Sequence, residues 1–500
     1  MKTHIYGIVA FVLLFSSICA YSIDVGSEAD GGEGTTNVNV GGVNVEATGV
    51  NCFDYYTFGS IVFDYPHAEK LSYKPGETAS IVTNIINSNN YAVVQGNVIA
   101  QIYYTNAASG NEQGDYLLAE SLAFDGLSLG PKQSYELAVE WPIPENAPKG
   151  EYYVALFFQE LHSYNLAGLP FLPNVYGGYA AFNVESSTVN QPFYLDRNAV
   201  VLNNERQLLR HFSKNFEQNQ TVSYEVPIVN TGTAQKDIAV KYELYAWDQS
   251  SEQNLLSNYT KTETISVPAK SSKKASVSFG NLSPGAYELK ITAKTDTWQN
   301  ILLLRFTVKG AKGRFIHSGL TAFPLVKGDP FEMFACFSNT TDWYTNFDGK
   351  VLLELKDAKG NILATHSYEG TITPKIMAIK KELTAAESYD ELYLTAKITD
   401  LKGTVHQEIT KVYRLSDFRD TNFIKSYLER KAAAEKKPTP QPPQETPKQT
   451  ETPIAQSPTP TQTSEQQAIP MEFIAIGAIV VVLIAMAFFF IKKTGKEGGK

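Results

Sequence analysis

In TVSYEVPIVNTGT (221–233), Val222, Tyr224, Val226 and Ile228 occupy every second position, with Ser223, Glu225 and Pro227 between them. A period of two puts one set of side chains on one face, so the stretch predicts a strand with that face turned to a core. PFEMFACFSNTTD (330–342) does the same through Phe331, Met333, Ala335 and Phe337. Runs rich in Val, Ile, Tyr, Phe and Thr, broken by Gly, Pro, Asn and Asp, continue from about residue 55 to 416 and predict an all-β body.

The runs repeat. ETASIVTNIINSNN (77–90) with NVIAQIYYTN (97–106), the 221–233 strand with DIAVKYELYAWD (237–248), and the 330–342 strand with GKVLLELKDAKG (349–360) share one plan. In each, an alternating strand ends in Asn plus Ser or Thr, then a polar break leads to a second alternating strand. A later Pro opens two further strands. Pro131 to Tyr152 is 21 residues, and Pro268 to Tyr287 and Pro374 to Tyr393 are 19 each. About seven short strands per copy match an immunoglobulin-like sandwich. The expected fold is therefore all-β, with three tandem immunoglobulin-like β-sandwich domains at 51–187, 188–310 and 311–416.

The periodicity changes at the ends. Residues 417–437 carry Phe423, Ile424, Tyr427 and Leu428 on one stripe and predict a short amphipathic helix, packed on the third domain or offered to a partner. Residues 438–469 are Pro, Thr, Gln and Glu without period and predict a disordered, extended stalk. Residues 470–491 contain the uncharged run Phe473 to Ile491, long enough for one transmembrane helix, and the basic tail 492–500 places the C-terminus in the cytoplasm. Residues 1–20 have a basic start, an apolar run and a small-residue end, the layout of a signal peptide. Residues 21–50 read as a flexible Gly/acidic leader. The expected localisation is the cell membrane, single-pass, with the domains outside.

Charge and chemistry narrow the reading. A formal net charge of −9 without a basic block before the tail argues against nucleic acid. No metal or cofactor motif is present: the histidines are scattered, and there is no Cys-x-x-Cys or phosphate loop. Beyond the signal peptide, Cys52 and Cys336 could pair only if the first and third domains fold back on each other, so two unpaired cysteines are expected. Gly126-Leu127-Ser128-Leu129-Gly130 spells the G-x-S-x-G of a nucleophile elbow, but a strand follows it where an elbow needs a helix. Ser128 is read as a turn residue, and no catalytic residues are assigned. Four N-x-S/T tripeptides, at Asn219, Asn258, Asn281 and Asn339, are candidate glycan acceptors.

Lys74-Pro75-Gly76-Glu77-Thr78, Asn230-Thr231-Gly232 and Pro131-Lys132 give the chain a wider likeness. With the strands around them they resemble CARDB-type (cell-adhesion-related) domains and related immunoglobulin-like modules of archaeal and bacterial surface proteins, including S-layer-like ones. The third copy departs most, with Thr340-Thr341-Asp342 in place of the Gly turn. The resemblance implies extracellular spacing, adhesion or envelope assembly, and no catalytic residues. The function expected is thus a non-enzymatic anchored surface protein for adhesion, S-layer attachment or scaffolding, with the membrane and other envelope proteins or glycans as partners. The alternative is a receptor or accessory subunit. QELHSYNLAGLPFLPNVYGGY (159–179) is far longer than its counterparts TDTWQN (295–300) and TDLKGT (399–404), and Tyr164, Leu169, Phe171 and Tyr176 could bind a glycan or peptide or cap their own domain. A wall hydrolase is the third and weakest reading, because no residues form an acid–base constellation.

Overall fold

The computed structural model describes residues 36–40, 43–47, 61–89, 91–105, 116–160, 174–206, 214–246, 250–339, 341 and 345–436. The signal peptide, stalk, membrane span and tail predicted above lie outside these residues. No helix among the described residues is long and apolar enough to cross a membrane. Within the predicted flexible leader, β1 (Thr36–Val40) and β2 (Val43–Ala47) pair antiparallel, which corrects that expectation. Their Thr-Asn-Val-Asn-Val and Val-Asn-Val-Glu-Ala alternation is itself a strand pattern.

The remaining strands fall into three groups in chain order. The first holds β3 (Ile61–Ala68), β4 (Ser72–Tyr73), β5 (Thr78–Asn87), β6 (Val93–Thr105), β7 (Tyr116–Leu129), β8 (Ser134–Pro142), β9 (Gly150–Glu160) and β10 (Asn174–Val184). The second holds β11 (Phe193–Leu195), β12 (Val201–Leu202), β13 (Glu205–Arg206), β14 (Lys214–Phe216), β15 (Val222–Asn230), β16 (Lys236–Tyr245), β17 (Lys261–Val267), β18 (Ser272–Phe279), β19 (Gly285–Lys294) and β20 (Gln299–Val308). The third holds β21 (Gly313–Leu320), β22 (Pro330–Asn339), β23 (Phe347–Asp357), β24 (Ile362–Ile372), β25 (Met377–Thr384), β26 (Glu391–Asp400) and β27 (Val405–Arg414), followed by α1 (Thr421–Glu435).

Each group divides its strands between two sheets. In the first, β3-β5-β8 form one sheet and β7-β6-β9-β10-β4 belong to the other. In the third, β21-β22-β25 and β24-β23-β26-β27 are the two. The inward sets are the predicted ones: Val222, Tyr224, Val226 and Ile228 are buried, as are Phe331, Met333, Ala335 and Phe337. Burying a Val, Ile, Phe or Met among them contributes about 1.5–3 kcal/mol relative to exposure.

The repeated spacing has a structural cause. Tyr152 donates its hydroxyl to the Pro148 carbonyl at 2.9 Å, and Tyr287 does the same to Ser283 at 2.6 Å, each four residues upstream. Both rings are buried, and burial pushes both hydroxyls to higher pKa, Tyr287 to about 12. Tyr393 in the third copy bonds Glu391 instead. The strand-ending asparagines are the second shared device. Asn87, Asn230 and Asn339 are all buried. Asn87 Nδ2 reaches the carbonyls of Tyr91, Leu129 and Gly130 at 2.9–3.1 Å, and Asn230 Nδ2 those of Ala234, Val267 and Pro268 at 2.9–3.1 Å. Asn339 Nδ2 reaches the Thr345 carbonyl at 2.8 Å and that of Gly310 at 3.3 Å. One amide thus satisfies carbonyls that a tight turn leaves without ladder partners. Beside the first two, Lys132 and Lys270 sit at positive φ and donate their ammonium groups to the Ser88 and Thr231 carbonyls.

The groups are not separate beads. β20 lies beside β7, with Ile301 opposite Leu117, so one 10-stranded sheet runs from the second group into the first. The third group folds back on the first. Ala92 and Val94 are buried in the third group's core, and the Val412 N–H donates to Gln95 Oε1 at 3.1 Å.

Two expectations change here. Ser128 is not in the turn: β7 continues to Leu129, and Ser128 is buried at the joint with the third group, bridged to Phe418 and accepting from the Gln95 N–H at 3.3 Å. Alternation weakens between Asp125 and Gly130, which made the strand look finished. Cys336 is disulfide-bonded, against the expectation of two unpaired cysteines, and its partner lies outside the described residues. The fold-back of the first and third groups is the condition that expectation had set aside. The 417–437 helix is present as α1, capped by Asp420 accepting from the Asn422 and Phe423 N–H groups. It packs on the third group through buried Tyr427 and half-buried Phe423, with Arg430 paired to Asp329 and Lys431 to Asp390.

Candidate functional site

β6 shows how the outer face of the long sheet is built. Its even-numbered residues Val98, Ala100, Ile102 and Tyr104 are buried in the core, and its odd-numbered residues Asn97, Ile99, Gln101 and Tyr103 stand half-buried on the other side. Together with β7, β9, β19 and β20, that second face lines a cleft of about 510 Å³ where the first and second groups meet. The size falls in the roughly 300–1,000 Å³ range of small-ligand sites.

Charge enters the cleft in pairs. Glu288 is 2% exposed, and a carboxylate so buried requires a partner. Arg305 faces it directly across the β19–β20 ladder with Nε 3.1 Å from Oε2, and the Ser250 hydroxyl donates to Oε1 at 2.7 Å. Glu120 on β7 accepts from Lys290 of β19 at 3.0 Å and from Gln101 of β6 at 2.7 Å. Gln101 in turn accepts from the Tyr103 hydroxyl at 2.6 Å. Tyr116, at the cleft edge, has its pKa raised to about 12, first by burial and then by neighbouring Tyr194. Aromatic rings continue across the sheet: Tyr103 stacks on Tyr153 with centroids 4.8 Å apart, and Tyr153 meets Tyr179 at 5.7 Å. Tyr179 is 58% exposed.

The residues singled out in the sequence fall elsewhere. Tyr164, Leu169 and Phe171 lie outside the described residues. Tyr176 does not belong to a loop: β9 runs to Glu160 and β10 starts at Asn174, so Tyr176 is a ladder residue opposite Phe157. The register shifts between Tyr176 and Tyr179, and that bulge at Gly177-Gly178 is why the alternation did not show the strand. Phe157 and Gln159, at the foot of the shortened connection, line the cleft. The charged cleft residues were missed in sequence. Their only signal is a charge inside an otherwise apolar strand, as with Arg305 in NILLLRFTV.

Of the sequons, Asn219, Asn258 and Asn281 are exposed, but Asn339 is buried with its Nδ2 engaged, which corrects its place among the acceptors. The three exposed ones gather at one end of the second group. Val222 pairs with Phe279 at that end, and the Tyr259 hydroxyl, next to Asn258, donates to Gly280 at 3.4 Å. Gly310, at φ +135, has Pro284 and Gln218 so close that an added Cβ would lie 2.6 and 2.7 Å from them. Among the described residues no cluster of three or more His, Cys, Asp or Glu is placed to hold a metal ion.

No protein-family model and no curated protein sequence matches the chain. Among solved structures it is similar to trypsin-activated alpha-2-macroglobulin from Escherichia coli, at 11% identity and TM-score 0.29, covering 70% of this chain and 23% of that one. It is similar to Salmonella alpha-2-macroglobulin reacted with methylamine, at 10% identity and TM-score 0.27, over 71% of this chain and 23% of that one. The CARDB domain of a Pyrococcus furiosus protein, solved in complex with di-metal ions, is similar at 14% identity and TM-score 0.16, covering 23% of this chain and 89% of that domain. The chain thus spans about a quarter of the alpha-2-macroglobulins it resembles. Likenesses at these TM-scores carry no functional argument.

Proposed function

We propose that this chain is a non-enzymatic, single-pass cell-surface protein whose three immunoglobulin-like domains form one stiff extracellular scaffold for adhesion or envelope attachment. The observation that carries the reading is the joining of the strand groups. A sheet shared by the first two, and a third folded back onto the first, hold a fixed arrangement where flexible beads would not. The disulfide at Cys336 supports export, since such bonds persist in oxidising compartments. In this reading the CARDB-type resemblance describes the domains, residues 438–469 lift them from the membrane, and 470–491 anchor them. Exposed Asn219, Asn258 and Asn281 carry the glycans, and Asn339 carries none.

Protease treatment of intact cells, with an epitope on the 492–500 tail, tests this. The expected result is release of the folded body by cleavage in the stalk, while the epitope stays with the membrane. A chain fully protected in intact cells, or an epitope that leaves with the soluble fraction, defeats the reading.

The receptor alternative is favoured by one observation: Phe157 and Gln159 place the foot of the long β9–β10 connection at the cleft. It predicts that replacing residues 161–173 by a short Gly/Ser turn removes a specific partner cross-linked in native membranes. An unchanged set of partners removes that alternative.

A further inference from the structure

We propose that the cleft between the first and second strand groups is a binding site for a neutral oligosaccharide, which continues along the tyrosines of β6, β9 and β10. The first support is charge closure. Glu120 is matched by Lys290 and Glu288 by Arg305, and the other charged lining residues, Arg197 and Glu252, are one cation and one anion, so the formal charges of the lining sum to zero. A ligand recognised by net charge finds none there, and opening either pair to receive one would strand its partner away from water.

The second support is the remaining chemistry. Asn97 and Gln159 line the cleft with amides, and the hydroxyls of Tyr103 and Ser250, whose protons go to Gln101 and Glu288, keep oxygens able to accept from a ligand. Ile99, Phe157 and Leu122, the last 54% exposed, offer apolar surface in the same cleft. An alternation of hydroxyl partners and apolar faces is the complement of a sugar ring, which carries hydroxyls at its rim and C–H groups on its faces.

The third support is extent. The Tyr103, Tyr153 and Tyr179 rings lead out of the cleft across neighbouring strands and end on an exposed ring, so the surface suits a chain of sugars rather than one. Such a site would give the proposed scaffold a means of holding envelope glycan. It does not depend on the membrane anchor, because binding is read on the purified chain and localisation separately.

The test uses the full-length protein, purified in a non-glycosidic detergent, on an array of neutral gluco-, manno- and galacto-oligosaccharides printed beside uronate-containing and sulfated ones. Binding to at least one neutral class is expected, unchanged by about a tenfold rise in salt. Leu122→Glu and Tyr179→Ala alter exposed side chains and should keep the wild-type thermal unfolding, yet each should weaken binding about tenfold or more. The proposal is overturned if no neutral glycan binds, if only the charged ones do, or if binding persists in both variants.

Discussion

The first strand group meets its two neighbours in different ways. Toward the second group the contact is made largely by backbone and amide. Ile301 pairs with Leu117, and Asn300, whose Oδ1 accepts from the Leu195 N–H at 2.9 Å within the second group, donates its Nδ2 across to the Leu117 carbonyl at 3.3 Å. Gln299 Nε2 adds a bond to the Leu118 carbonyl at 2.8 Å. Toward the third group the contact is made mainly by side chains. Ala92 and Val94 enter that group's core, and the Arg419 guanidinium lies over Phe124 and Tyr135 at 4.9 and 5.1 Å and donates to the Tyr135 hydroxyl at 2.9 Å. The two joints are therefore brittle in different ways. Hydrogen-bonded sheet continuity depends on a few buried polar atoms whose loss strands their partners. A side-chain joint spreads its energy and loses it gradually.

Asn300→Leu therefore has the largest expected effect. It leaves the Leu195 N–H and the Leu117 carbonyl buried without their partner, at a cost of about 2–4 kcal/mol. Calorimetry should show the first and second groups melting apart where the wild type melts them together, and hydrogen exchange should quicken at Leu195. A single transition with unchanged midpoint would mean that the shared sheet does not couple them.

Much of the interior of each group was legible in sequence, and the joints were not. The every-second-residue sets, the Pro-to-Tyr intervals and the strand-ending asparagines all report contacts within one group. Period and turn chemistry encode such contacts. Whether β20 pairs with β7 depends on which sheet edges meet, and no periodicity carries that. Asn339 is instructive because its signal was present. Aligned with Asn87 and Asn230 it is the structural turn asparagine, and the sequon reading took it for a surface residue. Ser128 failed for the opposite reason: it is bridged to Phe418, nearly 300 residues away in sequence, and only the fold-back reveals that. The cleft was invisible for the same cause, since its Glu120–Lys290 pair joins β7 to β19 across the joint.

The side-chain joint is tested more gently. Arg419→Ala removes one guanidinium from two aromatic faces and one hydroxyl bond, about 1 kcal/mol in all. It should raise the exchange rate of the Val412 amide, which donates to Gln95 across the joint, and leave that of Leu195 as it was. If both amides respond equally, the two joints are one cooperative unit and the contrast drawn between them fails.

The smallest effect belongs to the contact between the second and third groups, where Arg314 Nη2 donates to the Ala246 carbonyl at 2.9 Å and the joint carries groups that titrate. Burial first, and the Arg314 charge second, lower Lys312 from 10.5 to about 8. Burial first, and the Lys312 charge second, lower His406, whose ring stacks on Phe347 at 4.5 Å and whose Nδ1 accepts from the Gly313 N–H at 3.0 Å. Between about pH 8 and 10.5 the unfolded chain holds a proton on Lys312 that the folded one has released, so stability rises with pH through that window. At pH 7 both states are protonated there, and the cost of burying the ammonium is present in full. His406 acts with the same sign at lower pH: its contribution is present above its ordinary value and is lost as pH falls through its depressed one. Lys312→Met should then flatten the alkaline rise, stabilise the protein modestly at pH 7, and let the His406 pKa move up in a proton NMR titration. A His406 titration that does not move would show that the two groups do not sense each other. The second–third joint would then be, like the first–third, a matter of packing and not of charge.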